Sequence, residues 1–325
     1  MIKKLFCILF ILSLLPLKVY GAQYSVDCPS AVLIEQKSGK VLFSQNSDEK
    51  RPPASVTKVM TLLLIYEAVE EGKLSWDEEV TVSEHVAGMG GSQIFLEPGE
   101  KQTVKDLTKS VAIASANDAA VAMAERIGGS ESDFVTLMNE KAKELGMNNT
   151  NFENACGLDS DNHYTTAYDI ALMSRELLNK YPEIKDYTTT WQDTITHTTA
   201  KGQTEFGLTN TNKLIKQYSG ATGLKTGSTS KALYCLSGSA ERDGMELIGV
   251  IMAAPDPKAR FKEMAGLLDY GFGSFSVLKS EEPGTRVGEV SVYKGKSSEV
   301  SGVVSGRFPF PLKKMKETSW NISLK

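Results

Sequence analysis

The sequence predicts a mixed domain of the α/β (α+β) type. One antiparallel sheet is covered by helices, and a small all-β module follows it. Three observations carry this expectation. Strand-like runs lie at both ends of the first 275 residues, in Ser30–Gln36 with Lys40–Gln45 and again in Ala221–Ala253. The stretch between them carries apolar residues at helical spacing. After Gly273 the composition changes to short alternating runs, Val287–Tyr293 and Glu299–Val304, broken by Gly, Pro and Lys. Sheet edges from the two chain ends with helices from the middle make one sheet with helical cover.

The 325-residue chain opens with basic Met1-Ile2-Lys3-Lys4, continues with an apolar run from Leu5 to Leu17, and reaches small residues at Gly21 and Ala22. That is the pattern of a secretory signal peptide over residues 1–22, cleaved after Gly21 or Ala22. The alternative, a membrane anchor, needs a longer apolar run, and Pro16 interrupts this one. The chain is thereby expected to act outside the cytoplasm. Losing Lys3, Lys4 and Lys18 takes three positive charges from the formal −4 and leaves −7. An acidic surface argues against nucleic acid as a partner. Cys28, Cys156 and Cys235 remain, an odd and widely spaced set that is no disulfide framework, and buried thiols are expected. His85, His163 and His197 show no metal-ligand spacing, so no metal site is expected, and no cofactor motif is present.

Taken in order, Ser30–Gln36 and Lys40–Gln45 form a hairpin around Lys37-Ser38-Gly39. Pro52 and Pro53 lead into a helix over about 55–71. It is apolar nearly all round and therefore central, and Gly72 stops it. Residues 81–100 read as a loop, with Gly88–Leu96 either a glycine-rich flap or an ordinary turn. Helices are expected over 103–114 (Thr103 as cap), 118–127, 132–145 and 167–179. Ala221–Gly227 is a polar strand. Two apolar strands follow it, joined by the turn Arg242-Asp243-Gly244, and then a helix over 257–270. The domains read as 23–275 and 276–325.

Ser55-Val56-Thr57-Lys58 places a hydroxyl and an ammonium one helical turn apart at the start of the central helix. Serine needs an adjacent base, and a lysine serves when its surroundings favour the neutral amine. By itself the spacing also fits a capping serine beside a surface lysine. Ser115-Ala116-Asn117 falls between two helices, where Ser and Asn are also good caps. Lys225-Thr226-Gly227 lies on the polar strand, where a lysine also suits a sheet edge.

The three stretches in this order resemble the low-molecular-mass penicillin-binding proteins, D-alanyl-D-alanine carboxypeptidases with a small C-terminal β domain. Their context agrees: Pro53-Ala54-Ser55, Ala114 to Ala119, Gly157-Leu158 with His163 to Ala167, Gly223 to Gly227, and Leu268 to Phe272. The resemblance covers roughly residues 25–275 and implies a penicillin-binding/β-lactamase-like fold. It implies peptidoglycan stem peptides as substrate, β-lactams as covalent inhibitors, and no cofactor. It casts Ser55 as nucleophile, Lys58 as its base, Ser115 as proton relay, and Asn117 as holder of Lys58 and a substrate amide. Lys225 and Thr226 would take the terminal carboxylate, and Gly227 would let substrate approach the strand. The N–H groups of Ser55 and Ser228 would form the oxyanion hole. Arg260 resembles an arginine that assists carboxylate binding, the alternative being a solvated helix residue. His163 is read as support for the site and not as a general base.

Two departures stand out. Ser228 follows the Lys-Thr-Gly where some members carry histidine. The C-terminal module is short, and Glu317–Lys325 shows no amphipathic stripe, so the membrane-lying helix of that family is not expected. The rival readings are a β-lactamase or endopeptidase of the same fold, or a penicillin sensor that does not turn over. No convincing Glu-x-x-x-Asn loop supports the β-lactamase, and no spanning segment coupled to a cytoplasmic part supports the sensor.

Overall fold

The computed structural model describes residues 24–200, 202–278, 285–291, 299–303 and 310–314. The expected signal peptide and the last residues lie outside this set. The core is a five-stranded antiparallel sheet in the order β2-β1-β9-β8-β7. β1 (Ser30–Glu35) and β2 (Val41–Gln45) form the N-terminal hairpin. β7 (Ala221–Thr229), β8 (Leu233–Arg242) and β9 (Met245–Ala254) form a C-terminal meander. β1 pairs with β9, Ser30 opposite Met252, which joins the N-terminal hairpin to the meander. The turn expected between the last two strands is present, with positive φ at both Asp243 and Gly244.

Buried on both faces, β1 and β9 are apolar along most of their length. Helix α6 (Pro257–Ser274) covers one face through Phe261, Met264, Leu267 and Leu268. On the other face lie α1 (Lys58–Glu70) and α5 (Ala167–Lys180), the latter tied to β8 by Ser174 Oγ and Ser237 Oγ at 2.8 Å. Beyond them pack α2 (Val104–Ile113), α3 (Asn117–Gly128) and α4 (Glu131–Glu144). Thr103, Ser130 and Thr166 cap α2, α4 and α5, each accepting from the third residue on. Met60, Leu62, Leu63 and Ile65 of α1 are wholly buried, and such side chains contribute about 1.5–3 kcal/mol each.

Three details differ from the sequence expectation. The central helix does not begin at Ser55: a 3-10 turn, Ala54–Thr57, precedes α1. Ala54 has φ +49°, so the chain bends sharply before helical geometry begins. The loop 81–100 is bracketed by a two-stranded ladder, β3 (Glu79–Thr81) with β4 (Lys101–Thr103). A whole hairpin, β5 (Gln192–Thr199) with β6 (Gly202–Thr209), arises from a threonine-rich stretch in which no element was expected. Its signal was short: buried Ile195 and His197 alternate with exposed Thr194, Thr196 and Thr198.

In the C-terminal region β10 (Phe275–Leu278) pairs with β13 (Phe310–Lys313), and β11 (Arg286–Ser291) with β12 (Glu299–Val303). The strands expected around 287 and 299 therefore pair with each other. Phe275 belongs to the apolar cluster under α6, so the first of these strands starts on the main domain. No helix among the described residues is long and apolar enough to cross a membrane.

Candidate active site

The site lies where the N-terminus of α1, the α2–α3 junction and β7 meet. In a 3-10 turn residues i and i+3 eclipse one another. Ser55 and Lys58 stand in that relation, and Lys58 Nζ lies 3.0 Å from Ser55 Oγ. The ammonium also donates to Asn117 Oδ1 at 2.6 Å and to the Cys156 carbonyl at 2.7 Å. Three donors meet three acceptors, so the charged form is fully satisfied. After losing a proton the amine keeps two N–H groups for Asn117 and Cys156 and turns its lone pair to Ser55. Burial lowers the Lys58 pKa from 10.5 to about 8, with the Cys156 thiol and the Asp118 carboxylate pulling the other way. Ser55 itself is half-buried and reachable from the cleft.

The carbonyl of Cys156 was not legible as a functional group. It is held in place from α1, because Thr61 Oγ1 donates to the Ala155 carbonyl at 2.6 Å. Gly157 follows with φ +88°, and a Cβ there would fall 1.9 Å from the Ala54 carbonyl oxygen. The segment thus presses against the back of the Ala54–Thr57 turn where no side chain fits.

Ser115 and Asn117 do not cap α3 with their side chains; Ala116 is the N-cap residue and makes no side-chain cap bond. Ser115 adopts φ +61°, a left-handed conformation uncommon outside glycine. That bend lets α2 end and α3 begin within a few residues while the hydroxyl turns to Lys225. Lys225 Nζ donates to Ser115 Oγ at 2.8 Å and to the Thr226 carbonyl at 2.9 Å. It is 1% exposed, so the ammonium stands behind the serine and not in the open cleft. Burial lowers its pKa well below the usual lysine value, with the Lys58 and Arg260 charges adding to the effect.

Thr226 shares a hydrogen bond of 2.6 Å with Thr211, a residue not singled out from sequence. Gly227 lies against the turn that carries Ser55: a Cβ on it would fall 2.8 Å from the Pro53 carbonyl oxygen and 2.9 Å from Ser55 N. In this structure its missing side chain serves the contact between β7 and the serine's backbone. Ser228, the next residue, is exposed. Arg260 is not a solvated helix residue. It is 7% exposed, and its Nη1 donates to the Gly227 and Cys235 carbonyls at 3.1 and 3.2 Å.

His163 sits beside the site. Its Nδ1 accepts from Glu153 N–H at 3.0 Å, which leaves the proton on Nε2, 2.8 Å from Thr57 Oγ1. Burial lowers its pKa to about 4, so the ring is neutral and occupied as a support for the serine's turn. The glycine-rich segment is tied down beside Asn117. Ile94 and Leu96 N–H groups bond to the buried Asp118 carboxylate, Asn117 N–H donates to the Ser92 carbonyl, and Asn117 Nδ2 donates to the Gly90 carbonyl. The three described cysteines are free and buried. Among the described residues no cluster of His, Cys, Asp and Glu is arranged to hold a metal.

A buried lysine bonded to a serine at the mouth of a central helix fits the resemblance, which cast Lys225 as a carboxylate ligand; here Lys225 is instead held on Ser115. Comparison with known proteins agrees. The D-alanyl-D-alanine carboxypeptidase family profile matches residues 18–256.

The chain belongs to that family.

It is 50% identical over 270 residues to D-alanyl-D-alanine carboxypeptidase DacF of Bacillus subtilis (strain 168), covering 83% of this chain and 68% of the relative. With DacC of Escherichia coli (strain K12) it shares 35% over 294 residues, 87% of this chain and 72% of the relative. Among solved structures, penicillin binding protein 5 from Haemophilus influenzae superposes with a TM-score of 0.83 at 32% identity, covering 92% of this chain and 86% of that one. Penicillin-Binding Protein D2 from Listeria monocytogenes, in its ampicillin-bound form, gives a TM-score of 0.68 at 34% identity over 78% of this chain and all of that one. The antiparallel sheet flanked by helices is thus the fold of this family's solved members.

Proposed function

We propose that this chain is a serine-type D-Ala-D-Ala carboxypeptidase that trims peptidoglycan stem pentapeptides and is acylated by β-lactams at Ser55. The observation that carries this reading is the Lys58 Nζ–Ser55 Oγ contact of 3.0 Å on a wholly buried lysine. Neutral Lys58 takes the Ser55 proton, and Ser55 Oγ bonds to the carbonyl carbon between the two D-alanines. The Ser55 and Ser228 N–H groups receive the developing oxyanion. The carbon–nitrogen bond breaks as a proton passes through Ser115, held by Lys225, to the leaving nitrogen of D-alanine. Water then hydrolyses the acyl-enzyme. Thr226, with Arg260 behind Gly227, orients the terminal carboxylate. β-Lactams enter because their amide mimics the scissile bond, and the Listeria relative is seen with ampicillin and with cefotaxime.

We further assign residues 1–22 to an export signal, 23–275 to the catalytic domain and 276–325 to an accessory β module. The mass of the exported protein would expose a retained leader. The reading itself is tested by D-alanine release from a pentapeptide ending in D-Ala-D-Ala. Release is expected from the wild type and not from Ser55→Ala. A Ser55→Ala protein that still forms a covalent penicillin adduct would refute the assignment of the nucleophile.

A further inference from the structure

Beside the carboxylate end of the site is a cavity of about 640 Å³. Ser228, Thr211 and Arg260 are among the residues that line it. The residues that set its charge are Lys213, Lys258, Arg260 and Lys262, and no carboxylate lines it. Lys262 is partly offset by Glu263, 3.5 Å away. Asp256, close by in sequence, is committed to capping α6 through the Lys258 and Ala259 N–H groups. Arg260 is already buried on two carbonyls and has a buried Nε without a partner among the described residues. A D-alanine leaving group has a methyl side chain and one carboxylate. It fills little of such a volume and needs little of this charge.

From this cavity we infer a leaving-group pocket that selects amines carrying a second carboxylate. The inference rests on the carboxypeptidase reading, because it places the amine released from Ser55 at the Ser228 end of β7. The step is the same acyl transfer. Ser55 Oγ bonds to the carbonyl carbon, the carbon–nitrogen bond breaks, and the proton taken from Ser55 ends on the leaving nitrogen. The difference is in what leaves: the first carboxylate lies by Thr226 and Arg260, and the second reaches the ammonium groups of Lys213 and Lys258. These lysines are exposed, so the selection weakens with salt.

The test uses acetylated tripeptides ending in D-Ala-D-Xaa, with Xaa as Ala, Glu, Gln or Lys. Each kcat/KM is divided by the same protein's value for D-Ala. At low ionic strength D-Glu is expected to exceed D-Lys by about tenfold, with D-Gln between them, and the ratio is expected to fall towards about twofold in 0.5 M NaCl. The double variant Lys213→Gln, Lys258→Gln is expected to bring it to about twofold at low salt. Penicillin labelling of Ser55 reports that each variant is folded. Equal rates for D-Glu and D-Lys would overturn the inference while D-alanine release upholds the reading beneath it. A D-Glu preference undiminished in the double variant would also overturn it. Absence of all release, including D-alanine, would remove both.

Discussion

Lys58 gives the sharpest quantitative prediction. With its pKa near 8, the neutral base makes up about a tenth of the enzyme at pH 7 and about a hundredth at pH 6. The sign follows from the role: acylation needs the unprotonated amine, so the rate rises with pH and levels off above 8. Between pH 6 and pH 9 the second-order rate constant for acylation by a fluorescent penicillin should increase roughly 100-fold with unit slope below the midpoint. Acylation by a β-lactam isolates this step from deacylation. Lys58→Ala should lower the constant by roughly 10²–10⁴-fold, the usual range for a lost general base, and flatten the profile. Asn117→Ala removes one acceptor of the ammonium, 2.6 Å away, and should move the midpoint down by about one unit while lowering the plateau. A profile flat from pH 6 to 9 in the wild type would refute the reasoning. So would a Lys58→Ala protein acylated within tenfold of the wild-type rate.

Two further predictions concern the support of the site. Gly157→Ala would put a methyl group 1.9 Å from the Ala54 carbonyl oxygen at φ +88°, and should cost about 3 kcal/mol or more in thermal unfolding; a change under about 1 kcal/mol would show that the segment relaxes freely. His163 takes a proton near pH 6.5 when unfolded but only near pH 4 when folded, so the unfolded chain binds more protons in that window and stability falls as pH falls through it. The wild type should lose up to roughly 3 kcal/mol more than His163→Gln between pH 6.5 and 4, read from denaturant midpoints, and parallel losses would remove His163 as the cause.

Much of the site was legible because its chemistry is local. Ser55 and Lys58 are three residues apart, as are the ends of no other serine–lysine pair that opens an apolar helix here, and one turn of helix suffices to join them. The caps Thr103 and Thr166 were equally local, since each bonds to a backbone group three residues on. The hairpin β5–β6 was not legible: threonines and charges give its strands little apolar alternation, and its place comes from contacts such as His197 Nδ1 with Glu100 Oε1 at 2.6 Å, 97 residues apart.

The sequence by itself determined the central helix, the terminal strands that share one sheet, and the three short stretches that meet at the cleft. Each rests on periodicity, turn chemistry or close spacing, which a chain carries in its own order. Only the tertiary structure decided that the third acceptor of Lys58 is a backbone carbonyl 98 residues away. It likewise decided that Lys225 stands behind Ser115, that Gly227 is needed by the serine's own turn, and that Arg260 is buried. A carbonyl has no residue type to betray it, and the direction of a long side chain depends on which partners packing brings within reach.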